Sequence, residues 1–482
     1  MNDRPNIVQF VFDAARRDAF EPYGAAPGSS PVVADLAARG VAVEHAYAAG
    51  SWTVPSHAAM LSGRLPRQIG LSRAPGGHPQ GCRAVLEQHR SNLIAEALRE
   101  HGYATAAVST NLWLSELSGF SIGFERWRSI DSQRQSELGA NRPRARLRRA
   151  REAISAGRDD GAAAAGRCFA DWIDEAAAER ASGPARPFYW FANLVEAHSP
   201  YLPPRPYNPL GPRARLLAAG EASRHLTMGE IWKASLGGYD IPAAALGRMR
   251  ALYAASIRYL DGWLGEFVSR LDTAGLLEDT LLIICSDHGE NFGEDGRMGH
   301  SFSLDERLIS VPLILAGPGA APQPGAFSLA SLPLLIAAAA GVDPERWADG
   351  PPRDGIARAE FDPPIPTDPE RVAAALRQWG LGEEAQRLLA RSLRAATDGE
   401  WKLLREEPAG KGDRYYELAV DRLEQRPQVP GAVPAEVRGR LEAALAKDAP
   451  QAQVVRSPNP PAEIDDAERA DLEARMRLLG YL

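Results

Sequence analysis

Asn6 to Phe12 is a short apolar run rich in β-branched and aromatic residues, closed by Asp13, and it reads as a buried strand. Pro31 to Gly40 has helical spacing with a glycine stop, and Val41 to Tyr47 reads as a second strand. The alternation recurs downstream. A helix is expected from Asn92 to His101, a strand over Tyr103–Ser109, a strand over Phe188–Val195, a long amphipathic helix over Leu252–Leu271 and a strand over Leu281–Cys285. Repeated strand-then-helix units predict an α/β fold: a large mixed, mostly parallel sheet sandwiched by helices.

From about Ser132 to Ser182 the chain is rich in Ala, Arg and Glu, which predicts peripheral helices within an insertion of about 130–185. The arginines at 142, 144, 146, 148, 149 and 151 read as a solvated helix face. Beyond Pro318-Gly319 an Ala/Leu helix near Leu329–Ala340 precedes two Pro-rich stretches at Asp349–Gly355 and Glu360–Glu370, read as connection. Short strands at Trp401–Glu406 and Tyr415–Val420 and a helical tail from Ala435 follow, with a proline break at Pro458–Pro461. The expected division is therefore a catalytic α/β domain over 1–325 and a smaller C-terminal α+β subdomain over 326–482.

The 482 residues are 45% hydrophobic and 24% charged, enough for a sizeable core and too long for one small module. A net charge of −7 gives no basic field for nucleic acid. Cys82, Cys168 and Cys285 are widely spaced and lack a C-x-x-C pair, arguing against a disulfide framework or a structural zinc site. With no apolar leader or span, a cytoplasmic protein that binds neither membrane nor nucleic acid is expected, with a homo-oligomer left open.

Three strand ends carry polar groups where ligands of open α/β sheets bind. Asp13 either caps a turn or ligates a cation. Ser286-Asp287-His288-Gly289-Glu290 offers a hard oxygen and a borderline nitrogen for a divalent metal. Gly50-Ser51-Trp52-Thr53-Val54-Pro55-Ser56-His57 opens a helix and reads either as a simple capped start or as an anion pocket with a nucleophile beside it. His45, His78, His89, His101 and His225 read as ordinary surface or packing residues, while Trp52 and Trp113 lie near the expected mouth.

In order along the chain, Asn6–Asp18, Val33–Pro66, Glu196–Pro204 (EAHSPYLPP), Tyr259–Leu271, Thr280–Gly319, Tyr415–Asp421 and Leu478–Leu482 resemble the sulfatase family of the alkaline phosphatase superfamily. The resemblance implies a metal-dependent hydrolase of a phosphate, phosphonate or sulfate ester of a small molecule. It implies one divalent metal (Mn, Zn, Ca or Mg) on Asp13, Asp287 and His288, with Thr53 as nucleophile and further ligand. His57 would hold Thr53 or its adduct, His198 would meet the anionic group or protonate the leaving oxygen, and His300 falls at a substrate-binding Lys position. Asn111 stands near a missing Lys-x-His pair and would donate to substrate. A second metal would have to draw on Glu196, His198 and His300, so one metal is expected.

The chain departs from the family pattern at the nucleophile. Sulfatases proper use a Cys or Ser oxidised to formylglycine; Thr53 cannot become that aldehyde, so no formylglycine is expected and phosphoryl or phosphonyl esters become at least as probable as sulfate esters. One Asp of the usual pair after the first strand is Ala14. A transferase using the same site and an inactive sulfatase-like binding protein are the alternatives.

Overall fold

The computed structural model describes residues 4–77, 79–130, 159–363, 369–407 and 412–446. The arginine series at 142–151, His78, Pro458–Pro461 and Leu478–Leu482 lie outside the described residues. The central sheet comprises β1 (Asn6–Phe12), β2 (Val41–Ala42), β3 (Ala104–Ser109), β4 (Arg126–Ser129), β5 (Phe188–Leu194), β6 (Thr280–Cys285) and β7 (Leu313–Ala316). Its strand order is β2-β7-β6-β1-β5-β3-β4. β4, β3, β5, β1 and β6 run parallel, and β7 pairs antiparallel with both β6 and β2. The fold is thus mixed, mostly parallel and flanked by helices, as the alternating pattern predicted.

Both faces of the sheet are buried, so the period-two alternation of each strand distributes apolar side chains to two cores. Val8, Phe10 and Phe12 point to one face, with Ala192, Leu194, Leu282 and Ile284. Ile7 and Val11 point to the other, with Phe191, Leu281 and Ile283. Seven helices matter for the site and its support: α1 (Pro31–Arg39), α2 (Thr53–Ser62), α3 (Ile94–Glu100), α4 (Ala162–Ser182), α5 (Ala243–Thr273), α6 (Leu332–Ala340) and α7 (Ala435–Ala446). Residues of α1, α4 and α5 fill the first core, and those of α2, α3 and α6 fill the second. Although α5 is 31 residues long, no helix among the described residues is long and apolar enough to cross a membrane.

Phe10 anchors the first core. Its ring is fully buried and meets Phe169, Trp263 and Phe267 edge-on at centroid distances of 5.5, 5.2 and 4.8 Å. Phe10→Ala should remove these contacts and leave a cavity costing about 3–5 kcal/mol. A fall in the denaturant midpoint with little change in slope would establish it; an unchanged midpoint would mean that the core closes around the gap.

Beside the main sheet stands a four-stranded antiparallel sheet, in the order β8 (Ala357–Phe361), β9 (Ser392–Thr397), β10 (Trp401–Glu407) and β11 (Arg414–Glu417). Two of these strands differ from expectation. The region around 349–370 reads as pure connection in sequence because of its prolines, and Pro351, Pro352 and Pro363 lie outside β8, where a missing N–H costs no ladder bond. Five fully buried residues between them form the strand. β9 carries no strand signal in sequence, because SLRAAT mixes Arg and Ala without strong β character. The expected strand Val41–Tyr47 is also interrupted: only Val41–Ala42 joins the main sheet, while Ala46–Tyr47 pairs with Phe327–Ser328. β8 supports the next segment directly, its Glu360 amide donating to Ala49 O at 2.8 Å, just before the loop that opens α2.

Candidate active site

Parallel strands deliver their carboxyl ends to one edge, and four of them meet there. β1 ends at Asp13, β5 carries Asn193 near its end, β3 leads to Asn111 and β6 leads to Asp287 and His288. The register aligns them: Val11 lies beside Cys285, Phe12 beside Leu194 and Ser109 beside Asn193. Asp13 N donates to Leu194 O at 2.9 Å, fixing the turn out of β1. Ala14 follows with φ 58°, and its amide donates to Asp287 Oδ1 at 3.2 Å, tying the two aspartate segments together. Gly289 lets the backbone at Arg307 pack directly against the turn after His288, since a Cβ there would lie 1.9 Å from Arg307 O.

Asp13, Asp287 and His288 are fully buried, and one ligand atom from each lies within 4.8 Å of the others. Asp13 Oδ1, Asp287 Oδ2 and His288 Nε2 are all buried without a hydrogen-bond partner. Three such atoms facing one another would each carry a desolvation cost unless something lies between them. Two carboxylate oxygens and an imidazole nitrogen are a donor set that fits a divalent cation. The remaining atoms are already oriented: His288 Nδ1 donates to Gly289 O at 2.9 Å, leaving Nε2 as the lone-pair nitrogen, and Asp287 Oδ1 accepts from His288 N at 3.0 Å. Among the described residues this is the only such group of His, Cys, Asp and Glu.

Electrostatics follow from the burial. Burial pushes Asp287 well above the usual carboxylate range, and the neighbouring Asp13 charge adds to it. Burial would raise Asp13 too, but His198 and the Asn111 hydrogen bond hold it below its ordinary value. His288 is pushed well below the usual imidazole range by burial and by His300.

Thr53 is the first residue of α2 and is almost wholly buried. The Asn111 amide links it to the carboxylates, donating to Asp13 Oδ2 at 2.7 Å and lying 3.4 Å from Thr53 Oγ1. His57, one turn along α2, is also fully buried and faces inward. Its Nδ1 lies 2.9 Å from Thr53 O and 3.4 Å from Asp287 Oδ2, and its Nε2 lies 3.2 Å from Asn193 Nδ2. Burial lowers its pKa to about 4, so the ring is neutral: Nδ1–H donates to the carbonyl and Nε2 accepts from the amide. Ser56 Oγ turns away to Gly50 O at 2.8 Å.

His198 and His300 stand at the edge of this group, each half-buried. Their ring centroids are 5.0 Å apart, and that of His300 is 4.4 Å from His288. His198 Nδ1 donates to Ser199 O at 3.0 Å. Glu196, weighed with these two for a second metal, lies elsewhere: its Oε1 accepts from Ala162 N at the start of α4 at 2.6 Å. Trp52 and Trp113 meet edge-on at 5.7 Å beside Thr53. Asn193 was missed by the sequence reading, although it bridges His57 and Asp13, the latter at 3.3 Å. A polar side chain near the end of the apolar run Phe188–Leu194 was its signal, the same one that exposed Asp13.

The fold and the cluster define an α/β protein with a buried group of two aspartates and one histidine, whose donors suit a divalent cation, at the carboxyl edge of its sheet. The sulfatase family profile matches residues 5–338. The chain belongs to the sulfatase family. Among curated proteins it is similar to a choline-sulfatase of Rhizobium meliloti, 29% identical over 191 residues, 36% of this chain and 37% of that protein. It is also similar to the multifunctional alkaline phosphatase superfamily protein PehA of Trinickia caryophylli, 26% identical over 151 residues, 28% of this chain and 29% of that protein. The matched segments thus span well under half the length of these two relatives. Among solved structures, the phosphonate monoester hydrolase of Agrobacterium radiobacter superposes with a TM-score of 0.62 at 20% identity, covering 92% of this chain and 95% of that one.

Proposed function

We propose that this protein is a metal-dependent hydrolase that cleaves a phosphate, phosphonate or sulfate ester of a small anionic molecule through Thr53. The observation that carries the proposal is the set of three unpartnered ligand atoms, with Thr53 Oγ1 joined to the same Asp13 through Asn111. The names of the similar proteins, a choline-sulfatase and a phosphonate monoester hydrolase, support both ester classes.

Asp13, Asp287 and His288 would hold the cation, with Thr53 as a further ligand, and Mn²⁺, Zn²⁺, Ca²⁺ and Mg²⁺ all suit the donors. When bound, the metal would lower the pKa of a hydroxyl ligand and neutralise charge on an ester oxygen. Thr53 Oγ1, its proton released to solvent, attacks phosphorus or sulfur; the bond to the leaving oxygen breaks, and protonated His198 supplies that oxygen's proton. Water then attacks the same phosphorus or sulfur, its proton passing to His198, and the bond to Thr53 Oγ1 breaks. His57 takes a positioning part, holding the first turn of α2 through Thr53 O. His300 and Asn111 steady the substrate's anionic oxygens. No formylglycine is needed, because Thr53 carries a secondary alcohol that cannot give an aldehyde.

Asn111→Ala should lower kcat by about 10–100-fold, because Asp13 and Thr53 lose their shared donor. Steady-state turnover of p-nitrophenyl phosphate, phenylphosphonate and sulfate by metal-reloaded protein checks this. The assay also tests the main reading, since wild-type protein inert toward all three with every metal would remove it.

A further inference from the structure

Glu290 lies two residues beyond the cation cluster and is fully buried, yet both of its oxygens are engaged by side chains from different segments. Oε1 meets His300 Nδ1 at 3.1 Å, and Oε2 accepts from Tyr201 OH at 2.9 Å. Tyr201 is itself fully buried and belongs to the loop that carries His198. The carboxylate therefore joins three pieces: the turn after β6, the His198 loop and the segment bearing His300. Gly299, in the left-handed region at φ 74°, sets the backbone immediately before His300.

An imidazole whose Nδ1–H is held by a carboxylate has one orientation and one free nitrogen. His300 meets both conditions. Its ring stands against His288 and near His198, and its Nε2 has no partner among the described residues, whereas Nδ1 is committed. An ion pair serving only the fold would not require the second nitrogen to remain open beside the cation cluster.

We propose that Glu290, braced by Tyr201, is a positioning residue that fixes the ring of His300 and turns its Nε2 toward the anionic oxygens of the ester. The inference rests on the ester-hydrolase reading of the site. It assigns Glu290 no contact with substrate; its effect passes through His300.

The test compares Glu290→Ala, Glu290→Gln and His300→Gln with the wild type as zinc-loaded protein, using the p-nitrophenyl ester that the wild type cleaves fastest. Glu290→Ala is expected to lose about 10–100-fold in kcat, as supporting carboxylates of site histidines do, with KM changing less than about threefold. Glu290→Gln keeps an acceptor oxygen and should recover most of that loss. Zinc affinity measured by calorimetry should stay within about threefold of the wild type in all three, separating positioning from damage to the cluster. A downfield imidazole proton resonance that disappears in His300→Gln should also disappear in Glu290→Ala. Wild-type kcat in Glu290→Ala, or survival of that resonance there, would overturn the proposal. If the wild type itself cleaves no ester, the hydrolase reading fails, and the resonance alone decides whether Glu290 holds His300.

Discussion

Thr53→Ala should abolish ester turnover, lowering kcat by roughly four to six orders of magnitude, while divalent-metal affinity changes only a few-fold. The first part follows from removal of the attacking atom: a covalent route that loses its nucleophile loses nearly its whole advantage over solvent. The second follows from where the ligand atoms sit. Asp13 Oδ1, Asp287 Oδ2 and His288 Nε2 belong to two strand ends and do not depend on the Thr53 side chain for orientation. Asn111 retains its 2.7 Å bond to Asp13 in the variant, so the geometry of that carboxylate should also persist. Parallel measurements of turnover and metal affinity check both halves. Residual turnover above about one per cent would show that the nucleophile lies elsewhere.

The second large effect concerns Asp287→Asn. Asp13 and Asp287 lie side by side without solvent, and burial together with the Asp13 charge makes ionisation of Asp287 unfavourable in the metal-free protein. A cation offsets both penalties at once. At a free concentration one hundred times its Kd, a metal that binds only the folded state adds about 2.7 kcal/mol to stability, on the order of a few degrees in Tm for a chain of this size. Asp287→Asn should leave the metal-free Tm equal or higher, because the amide is neutral without the cost that burial and the Asp13 charge place on ionising Asp287. It should lose most of the metal-induced rise and more than about 100-fold in kcat. Thermal unfolding with and without Mn²⁺ or Zn²⁺ gives the answer, and an undiminished rise in the variant would remove Asp287 from the cation site.

The parts of the molecule that could be read in sequence were those with one dominant physical signal. β1, β5 and β6 are continuous apolar runs because both sheet faces are covered, and their boundaries fell within one residue of the expectation. Asp13, Asp287 and His288 stood out because polar groups at the ends of such strands have no structural need to be there. Side-chain direction was not legible. The octapeptide around Thr53 places His57 on the same helix as Thr53, but only tertiary packing turns its ring inward to Asn193 rather than outward to solvent. Glu196 looked like a metal donor beside His198 in sequence; the helix start at Ala162 claims it, and nothing within the Glu196 segment announces a partner 34 residues away. β8 and β9 were obscured for another reason. Their stability comes from burial between neighbouring strands and α7, not from intrinsic propensity, so Pro, Arg and Ala masked them.

The central claim is that Thr53 forms and then loses a covalent bond to the transferred group. Acid-quenched single-turnover reactions with p-nitrophenyl phosphate, phenylphosphonate or sulfate, followed by mass analysis of the peptide spanning Gly50–Arg64, test it most directly. The expected result is a transient phosphoryl, phosphonyl or sulfuryl mass on Thr53 that rises and decays with product release and is absent from Thr53→Ala. An adduct on another residue, or undiminished product release from Thr53→Ala, would contradict the account.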